Sequence, residues 1–184
     1  DQNDSSGYAV SGIGDLNGDG YEDIIIGAAA ADFGWFADTG ESYVVFGKAE
    51  GWDGSDTLSS LVDGSSAFGI VGIDGNDLSG YSVSGAGDLD ADGFGDLIIG
   101  APSANSGAGE SYIIFGKKSG WSVLLSLDDL SDGVRVDGAS SGNNSGSWLS
   151  SAGDVNGDGY DDLLIGAAGS TNSYLLLGRS RNDW

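Results

Sequence analysis

The chain has 184 residues, of which 29 are acidic and 6 are basic, and its formal net charge at pH 7 is -23. This charge excludes binding to nucleic acid or to anionic membrane surfaces, because both require lysine and arginine. Cysteine and histidine are absent, which excludes disulfides, Ser-His or Cys-His nucleophiles and imidazole metal ligands. No apolar run approaches the roughly 20 residues of a membrane span. We therefore expect a protein that attracts cations and does not insert into membranes.

Short apolar segments predict β-strands from the start of the chain onward. In the first part of the sequence they lie near residues 8–13, 23–28, 42–47 and 67–72. The segments at 23–28 and 42–47 are apolar at consecutive positions, which is typical of strands that are buried on both faces. The 35 glycines and the single proline indicate many short strands joined by tight turns.

The same segments return twice along the chain. The first strand and its flanking glycines end at Asp15, and the equivalent stretch ends at Asp88, 73 residues later, and at Asp154, 66 residues after that. Three tandem units are therefore predicted, the last of them without its fourth strand. The units span residues 1–73, 74–139 and 140–184.

Repeated four-stranded sheets whose inner strands are buried on both faces are typical of propeller blades. We therefore predict an all-β fold of three four-stranded antiparallel blades, the last lacking its outer strand. Three blades cannot close a ring, so the blades form an open arc or part of a larger propeller. A linear solenoid would need a far shorter repeat, and a β-sandwich gives no reason for near-identical units.

A nine-residue loop rich in Asp, Asn and Gly connects the first two strands of each unit. Oxygen-bearing side chains stand at loop positions 1, 3, 5 and 9, with glycine at position 6, and position 7 would contribute its backbone carbonyl. Hard cations prefer such all-oxygen ligand sets, so each loop is predicted to bind one Ca²⁺, three ions in all. The predicted ligands are Asp15, Asn17, Asp19, Tyr21 and Asp23 in the first loop, Asp88, Asp90, Asp92, Phe94 and Asp96 in the second, and Asp154, Asn156, Asp158, Tyr160 and Asp162 in the third.

Other interpretations of the loops are weaker. An EF-hand needs a bidentate Glu at position 12, whereas Ile26, Ile99 and Ile165 stand there. Magnesium is the alternative metal, but it prefers few protein ligands and retained waters. Turns without metal would not require the same spacing three times. Three calcium ions would bring the net charge to about -17.

These units resemble FG-GAP repeats, the repeats of integrin α-subunit propellers and of large bacterial surface proteins. The resemblance is carried by the Gly-Tyr pairs that begin at Gly7 and Gly80, by the three Asp-rich loops and by the Gly-Ala-Pro at 100–102. The third copy departs from it with Ser147 and Trp148. The resemblance implies that the loops bind calcium and stiffen the blades, and that the propeller presents a surface for adhesion or ligand binding.

We therefore expect a calcium-stabilised extracellular or cell-surface module that mediates protein–protein or cell-surface interaction, and not an enzyme. The alternative is the propeller portion of a secreted carbohydrate-active enzyme or lectin. Trp35 and Phe36, in a loop unique to the first unit, fit either sugar stacking or packing against a neighbouring blade, and packing is favoured. Trp52 and Trp121 recur with the repeat, which predicts a structural role.

Assembly is the last expectation from the sequence. A three-blade arc exposes two apolar blade faces and an open strand edge, and open edges recruit partner strands. Methionine is absent and the ends are out of phase with the blades. We therefore expect either a longer array of blades or copies of this chain joined head to tail, with protein or glycan ligands as further partners.

Overall fold

The computed structural model describes residues 4–51, 54 and 56–184, and its architecture is all-β. Among these residues, no helix has the length and apolar character needed to cross a membrane. Helical segments are confined to single turns: α1 (Leu58–Leu61), α2 (Ala104–Gly107) and 3₁₀ turns at Leu127–Asp129 and Arg181–Asp183. The strands are β1 (Ser6–Gly14), β2 (Asp23–Ala28), β3 (Glu41–Val45), β4 (Ala67–Val71), β5 (Ser82–Gly87), β6 (Asp96–Ala101), β7 (Glu110–Ile114), β8 (Leu124–Ser126), β9 (Gly133–Asp137), β10 (Ser145–Gly153), β11 (Asp162–Ala167) and β12 (Ser173–Leu176).

Within the described residues the strands form three separate sheets. Blade 1 is the antiparallel meander β1-β2-β3-β4, blade 2 is β5-β6-β7-β9, and blade 3 is β10-β11-β12. The prediction of three antiparallel blades, the last without its outer strand, is confirmed.

One strand was not predicted from the sequence. β8 belongs to the connection between β7 and β9 of blade 2, but it pairs in parallel with β4, the outer strand of blade 1. Leu124 lies opposite Gly69, and Ser126 lies opposite Val71. A three-residue strand that pairs with another repeat leaves no periodic signal in its own sequence. It covers the outer edge of blade 1 with a segment of blade 2.

The apolar core lies between blades rather than within them. Each blade has a following face, which contacts the next blade in chain order, and a preceding face on the other side. In β6, Ile98 faces blade 3, whereas Leu97 and Ile99 face blade 1. The first junction buries residues that include Leu16, Ile25, Val44, Phe46 and Phe68 of blade 1 and Val83, Leu97, Ile99, Tyr112 and Ile114 of blade 2. The second junction buries residues that include Leu89, Ile98, Ile113 and Phe115 of blade 2 and Leu163 and Ile165 of blade 3.

Glycine in the second strand of each blade allows this close packing. A Cβ atom on Gly27 would lie 2.1 Å from the carbonyl oxygen of Gly80, and one on Gly100 would lie 2.1 Å from that of Gly146. Any side chain at these positions would push the following blade away, which explains the repeated Gly-Ala of the second strand.

A tryptophan packs at the end of each junction between blades. Trp121, beyond the end of β7, stacks on Phe68 of blade 1 with ring centroids 4.8 Å apart. Trp184 packs edge-to-face against Phe115 of blade 2, with ring centroids 5.6 Å apart. The structural role predicted for Trp121 is confirmed, whereas Trp52 lies outside the described residues. The aromatic contact adds to the apolar area that each junction buries.

The loop unique to blade 1 does not behave as expected. Phe33 and Phe36 pair through two backbone hydrogen bonds of 3.1 Å each, which form a tight turn. This turn leaves Trp35 fully exposed (100 %) and Phe36 largely exposed. The expectation that the pair packs against a neighbouring blade is therefore wrong for Trp35 among the described residues. The loop backbone, in contrast, is attached to blade 2, because Asn76 N–H donates to the Ala37 carbonyl at 2.9 Å.

Candidate metal centre

The three Asp-rich loops lie at the same end of their blades, between the first and second strands. A bulge ends the first strand of each sheet, at Gly12–Gly14, Gly85–Gly87 and Ser151–Gly153, and turns the chain into the loop. The glycines at loop position 6 have φ angles of +91°, +92° and +94°. Glycine adopts this conformation without steric cost, so the backbone closes tightly around the loop centre.

Backbone N–H groups hold the carboxylates at positions 1 and 5 inside the loop. In the first loop, the Asp15 carboxylate accepts hydrogen bonds from the N–H groups of Asp19 (3.0 Å) and Gly20 (2.8 Å). The Asp19 carboxylate accepts one from Tyr21 N–H at 2.9 Å. The other loops repeat these bonds at Asp88, Asp92, Asp154 and Asp158. These bonds preorganise the side chains against the backbone of their own loop, although Asp19, Asp92, Asp154 and Asp158 are exposed to solvent.

The aspartate at position 9 has a second role that the sequence did not reveal. Asp23 is fully buried, and its two oxygens accept hydrogen bonds from Leu16 N–H and Gly47 N–H, both at 2.8 Å. It thereby ties the loop to the end of the third strand in its blade. Asp96 and Asp162 make the same pair of bonds.

Burial of these carboxylates is electrostatically unfavourable without a cation. Burial raises the pKa of Asp96 to about 7 and that of Asp23 to about 6, although the backbone N–H bonds oppose the shift. The neighbouring loop aspartates raise both pKa values further. Burial also raises the pKa of Asp92. A bound cation would relieve this strain by stabilising the ionised carboxylates.

The second loop has the most compact set of acidic ligands. One carboxylate oxygen from each of Asp88, Asp90 and Asp96 lies within 4.8 Å of the others. Asp90 and Asp96 are buried. Asp92 is in the same loop but outside this trio. Buried oxygens that converge in this way fit a hard cation such as calcium.

The first and third loops have asparagine at position 3. The Asn17 side-chain oxygen accepts from Asp19 N–H at 2.9 Å, and its amide nitrogen donates to the Asp19 carboxylate at 3.0 Å. Asn156 makes the same contacts with Asp158. Both loops therefore keep the predicted positions 1, 3 and 5 together.

The predicted position-7 residues direct their side chains away from the loop. Cβ atoms of Tyr21, Phe94 and Tyr160 press against the glycine that follows the third strand of their own blade, Gly47, Gly116 or Gly178. The side chains at position 7 therefore pack against the blade, which is consistent with a ligand role for the backbone carbonyl alone.

Neighbouring loops are also bonded to each other. Gly95 N–H donates to the Asp15 carbonyl at 2.9 Å. Across the second junction, Asp161 N–H donates to the Asp88 carbonyl at 3.1 Å, and Asp88 N–H donates to the Asp161 carboxylate at 2.9 Å. Position 8 was not singled out in the sequence, because it varies among glutamate, glycine and aspartate. These bonds couple each loop to the junction with the next blade.

Comparisons with known proteins identify the repeat. A family model described as FG-GAP repeat matches residues 6–45, 79–114 and 145–178. Relatives include integrin alpha pat-2 of Caenorhabditis elegans (31% identical over 175 residues), integrin alpha-PS5 of Drosophila melanogaster (32% over 169) and integrin alpha-5 of Xenopus laevis (32% over 180). These alignments cover 90%, 92% and 94% of this chain but only 13%, 15% and 16% of the relatives' lengths.

Proposed function

This chain belongs to the FG-GAP repeat family, and we propose that it is a calcium-stabilised, non-catalytic interaction module with one ion in each Asp-rich loop. The observation that carries the proposal is the convergence of half-buried Asp88 with buried Asp90 and Asp96, one carboxylate oxygen of each lying within 4.8 Å of the others. The repeat units 1–73, 74–139 and 140–184 each supply one such loop. Side chains at loop positions 1, 3, 5 and 9 and the carbonyl at position 7 would hold the ion.

Calcium fits these loops better than magnesium. Each loop offers five oxygen ligands from the protein, whereas magnesium usually keeps several waters and takes one or two carboxylates. The fold places several carboxylates close together in each loop, and the bound ion would supply the positive charge that balances them. Because the loops bond to one another, this charge would stabilise the blade junctions as well as the loops.

Calorimetric titration with calcium tests the number of sites. We expect three ions per chain, with affinities in the range of extracellular modules, about 10⁻⁴–10⁻³ M. Asp19→Ala, Asp92→Ala and Asp158→Ala should each remove one ion. Asp137→Ala is the matched control, because this exposed carboxylate on β9 pairs with Arg135 outside the loops. Saturation by fewer than two ions would contradict the proposal.

Removal of the metal tests its structural role. A ligand that binds only the folded state adds stability by mass action, and the metal-free loops keep several carboxylates close together. We expect excess chelator to lower the melting temperature strongly and millimolar calcium to restore it. A melting temperature that chelator does not change would refute the structural role.

We infer an adhesive function at the cell surface or outside the cell. The relatives are integrin alpha subunits. The partner would be a protein ligand, bound by a blade array that is longer than these three repeats. Binding that requires calcium, measured on immobilised extracellular proteins, would support this role.

A lectin function is the second candidate, and it rests on Trp35. This side chain is fully exposed on a tight turn, and Phe33 and Phe36 beside it are also exposed. Exposed aromatic rings of this kind can stack on sugars. A glycan array should detect binding that Trp35→Ala abolishes and that Trp148→Ala leaves intact. Turnover of any glycan would favour the carbohydrate-active enzyme instead.

The two end faces support assembly with further blades of the same type. Val155, Leu164, Leu175 and Leu177 on the following face of blade 3 are exposed. Their counterparts in blade 2 are Leu89, Ile98, Ile113 and Phe115, all buried in the second junction. Exposed Val10 and Ile24 on the preceding face of blade 1 correspond in the same way to buried Val83 and Leu97. We propose that these two faces join head to tail, so that the isolated chain associates with a second copy.

Trp148 gives this assembly a specific test. It stands at the position that Ala9 and Ser82 occupy in the other blades. Its ring lies over Gly166, 3.7 Å from where a Cβ atom of that residue would be, and the next blade occupies this place at both junctions. In sedimentation with calcium, Trp148→Ser should strengthen association and Leu175→Asp should weaken it. A well-folded wild-type monomer over a wide concentration range would refute head-to-tail pairing.

A further inference from the structure

The second metal loop has one more carboxylate at its predicted ligand positions (1, 3, 5 and 9) than the other two loops. Asp90 stands at position 3, where Asn17 and Asn156 stand in the first and third loops. The Asp90 side chain is completely buried, with 0% of its surface exposed. A buried carboxylate without a compensating charge is strongly unfavourable, so the fold must offset it.

A single arginine from the next blade supplies the compensating charge. Arg181 lies in the 3₁₀ turn that follows β12, and its guanidinium is 3.1 Å from the Asp90 carboxylate. A second guanidinium nitrogen donates to the Asp132 carbonyl at 3.0 Å. The guanidinium carbon lies 3.7 Å from the centre of the Phe115 ring. Three contacts of different kinds thus hold Arg181 in one place across the second junction.

The equivalent place at the first junction has neither the carboxylate nor an arginine. Arg181 stands three residues after Gly178, which ends the third strand of blade 3, and the residue three after Gly116 in blade 2 is Ser119. The first loop, which blade 2 covers, has Asn17 at position 3. The extra carboxylate and the arginine therefore occur together at one junction and are both missing at the other. With Arg181 counted, the ligand positions of the second loop have the same net charge as those of the other loops.

The two oxygens of Asp90 face different partners. One accepts a hydrogen bond from Asp92 N–H at 3.2 Å, on the loop side, and the other faces Arg181. The carboxylate can therefore contribute an oxygen to the loop while the arginine holds its other oxygen. The positive charge of Arg181 lies next to this carboxylate and would repel a cation bound in the loop.

We propose that Arg181 is a built-in counter-cation of the second metal loop, which stabilises the metal-free loop and lowers its calcium affinity. This inference rests on the proposed calcium function. It links ion binding at the second loop to the docking of the terminal turn of blade 3. A more strongly bound ion would weaken the arginine contact, and release of the turn would strengthen ion binding.

The test compares calcium binding in wild type and Arg181→Gln, in a background where Asp19→Ala and Asp158→Ala leave the second loop as the site titrated. We expect Arg181→Gln to bind calcium about three- to tenfold more tightly, because a partly exposed charge pair has a modest energy. The gain should shrink at high ionic strength. Arg135→Gln, which breaks an exposed pair with Asp137 on β9, should change nothing. Unchanged or weaker calcium binding by Arg181→Gln would overturn the proposal.

A thermal unfolding cycle in chelator provides the second readout and keeps the native loops intact. Arg181→Gln should lower the metal-free melting temperature, and Asp90→Asn together with Arg181→Gln should restore much of it. If wild type takes up no calcium at all, the proposed function fails and so does the affinity effect. The cycle would still report whether Asp90 and Arg181 are coupled, so the two failures are distinguishable. If the melting-temperature shifts of Asp90→Asn and Arg181→Gln were additive, the two side chains would not be coupled, and Arg181 would not act as a counter-cation.

Discussion

β6 of blade 2 and β11 of blade 3 have nearly the same sequence but different surroundings. They read Asp-Leu-Ile-Ile-Gly-Ala and Asp-Leu-Leu-Ile-Gly-Ala. Every residue of β6 is buried, whereas Leu164 in β11 is 45% exposed at the position where Ile98 is 0% exposed. The next strand differs in the same way, since β7 is buried throughout and β12 alternates with exposed positions. The difference comes from the neighbouring blade and not from the strand.

This comparison explains how an FG-GAP blade is built. Alternate residues of one strand face two different blades, so a strand with blades on both sides needs apolar residues at consecutive positions. Blade 3 keeps that pattern on its following face, although none of the described residues covers it. An apolar residue is therefore stabilising here only where the adjacent blade is present.

The largest difference is expected between two truncations at this shared position. Ile98→Ala leaves a cavity in the second junction and should lower the free energy of unfolding by about 3 kcal/mol. Leu164→Ala removes a half-exposed side chain and should cost less than about 1 kcal/mol. Denaturant unfolding at a protein concentration that keeps the chain monomeric measures both.

An equal loss for the two variants would contradict the assignment of faces. If the cost of Leu164→Ala grows with protein concentration while that of Ile98→Ala stays constant, a second copy covers the following face of blade 3. The matched pair thus reports on burial and on association separately.

The repeated sequence pattern was sufficient to predict the metal loops and the strands of each blade. Aspartates at Asp15, Asp88 and Asp154 mark the loops, and consecutive apolar residues mark strands between blades. It did not predict β8, because three residues that pair with another repeat carry no periodicity. Nor did it predict the contact of Arg181 with Asp90, because residues 91 positions apart in the chain are joined only by the stacking of blades. The repeated strands and loops were predictable, whereas contacts between units and the hydrogen bonds that hold Asp23 within its own blade required the structure.

A smaller effect concerns the aspartate that begins β6. Burial raises the pKa of Asp96 to about 7 and that of Asp23 to about 6. These carboxyls take up protons on folding, so their contribution favours the metal-free protein at low pH and is lost as pH rises through about 6 and 7. In chelator, the two shifts alone would lower the free energy of unfolding by about 4 kcal/mol between pH 5 and pH 8, and solvent screening at the loops should reduce the observed fall to about 2 kcal/mol. Thermal or denaturant unfolding across this range measures it.

Salt separates this effect from general repulsion in an acidic chain. High ionic strength screens exposed charges far more than buried ones, so the fall should persist at high salt if buried Asp96 and Asp23 cause it. Calcium requires the ionised carboxylates, so its stabilising effect should be larger at pH 8 than at pH 5. A fall that salt abolishes would assign the pH dependence to the surface instead.

The smallest expected effect is a difference in stability between alanine variants of the first metal loop, which blade 2 contacts, and of the third metal loop. Gly18 and Gly157 occupy position 4 of the first and third loops, with φ angles of +71° and +76°. Alanine should cost about 1 kcal/mol at both from the left-handed backbone alone. At Gly18 a Cβ would also lie 2.4 Å from the Phe94 ring of blade 2, whereas at Gly157 it has open space within 4 Å among the described residues. Gly18→Ala should therefore cost about 1 kcal/mol more, since the ring must move.

Tyr21 is the counterpart of Phe94 in blade 1, so head-to-tail pairing would bring it against Gly157. Gly157→Ala should then weaken self-association in sedimentation while it barely changes the unfolding of the monomer. Equal unfolding costs at the two glycines would mean that blade 2 does not press on the first loop.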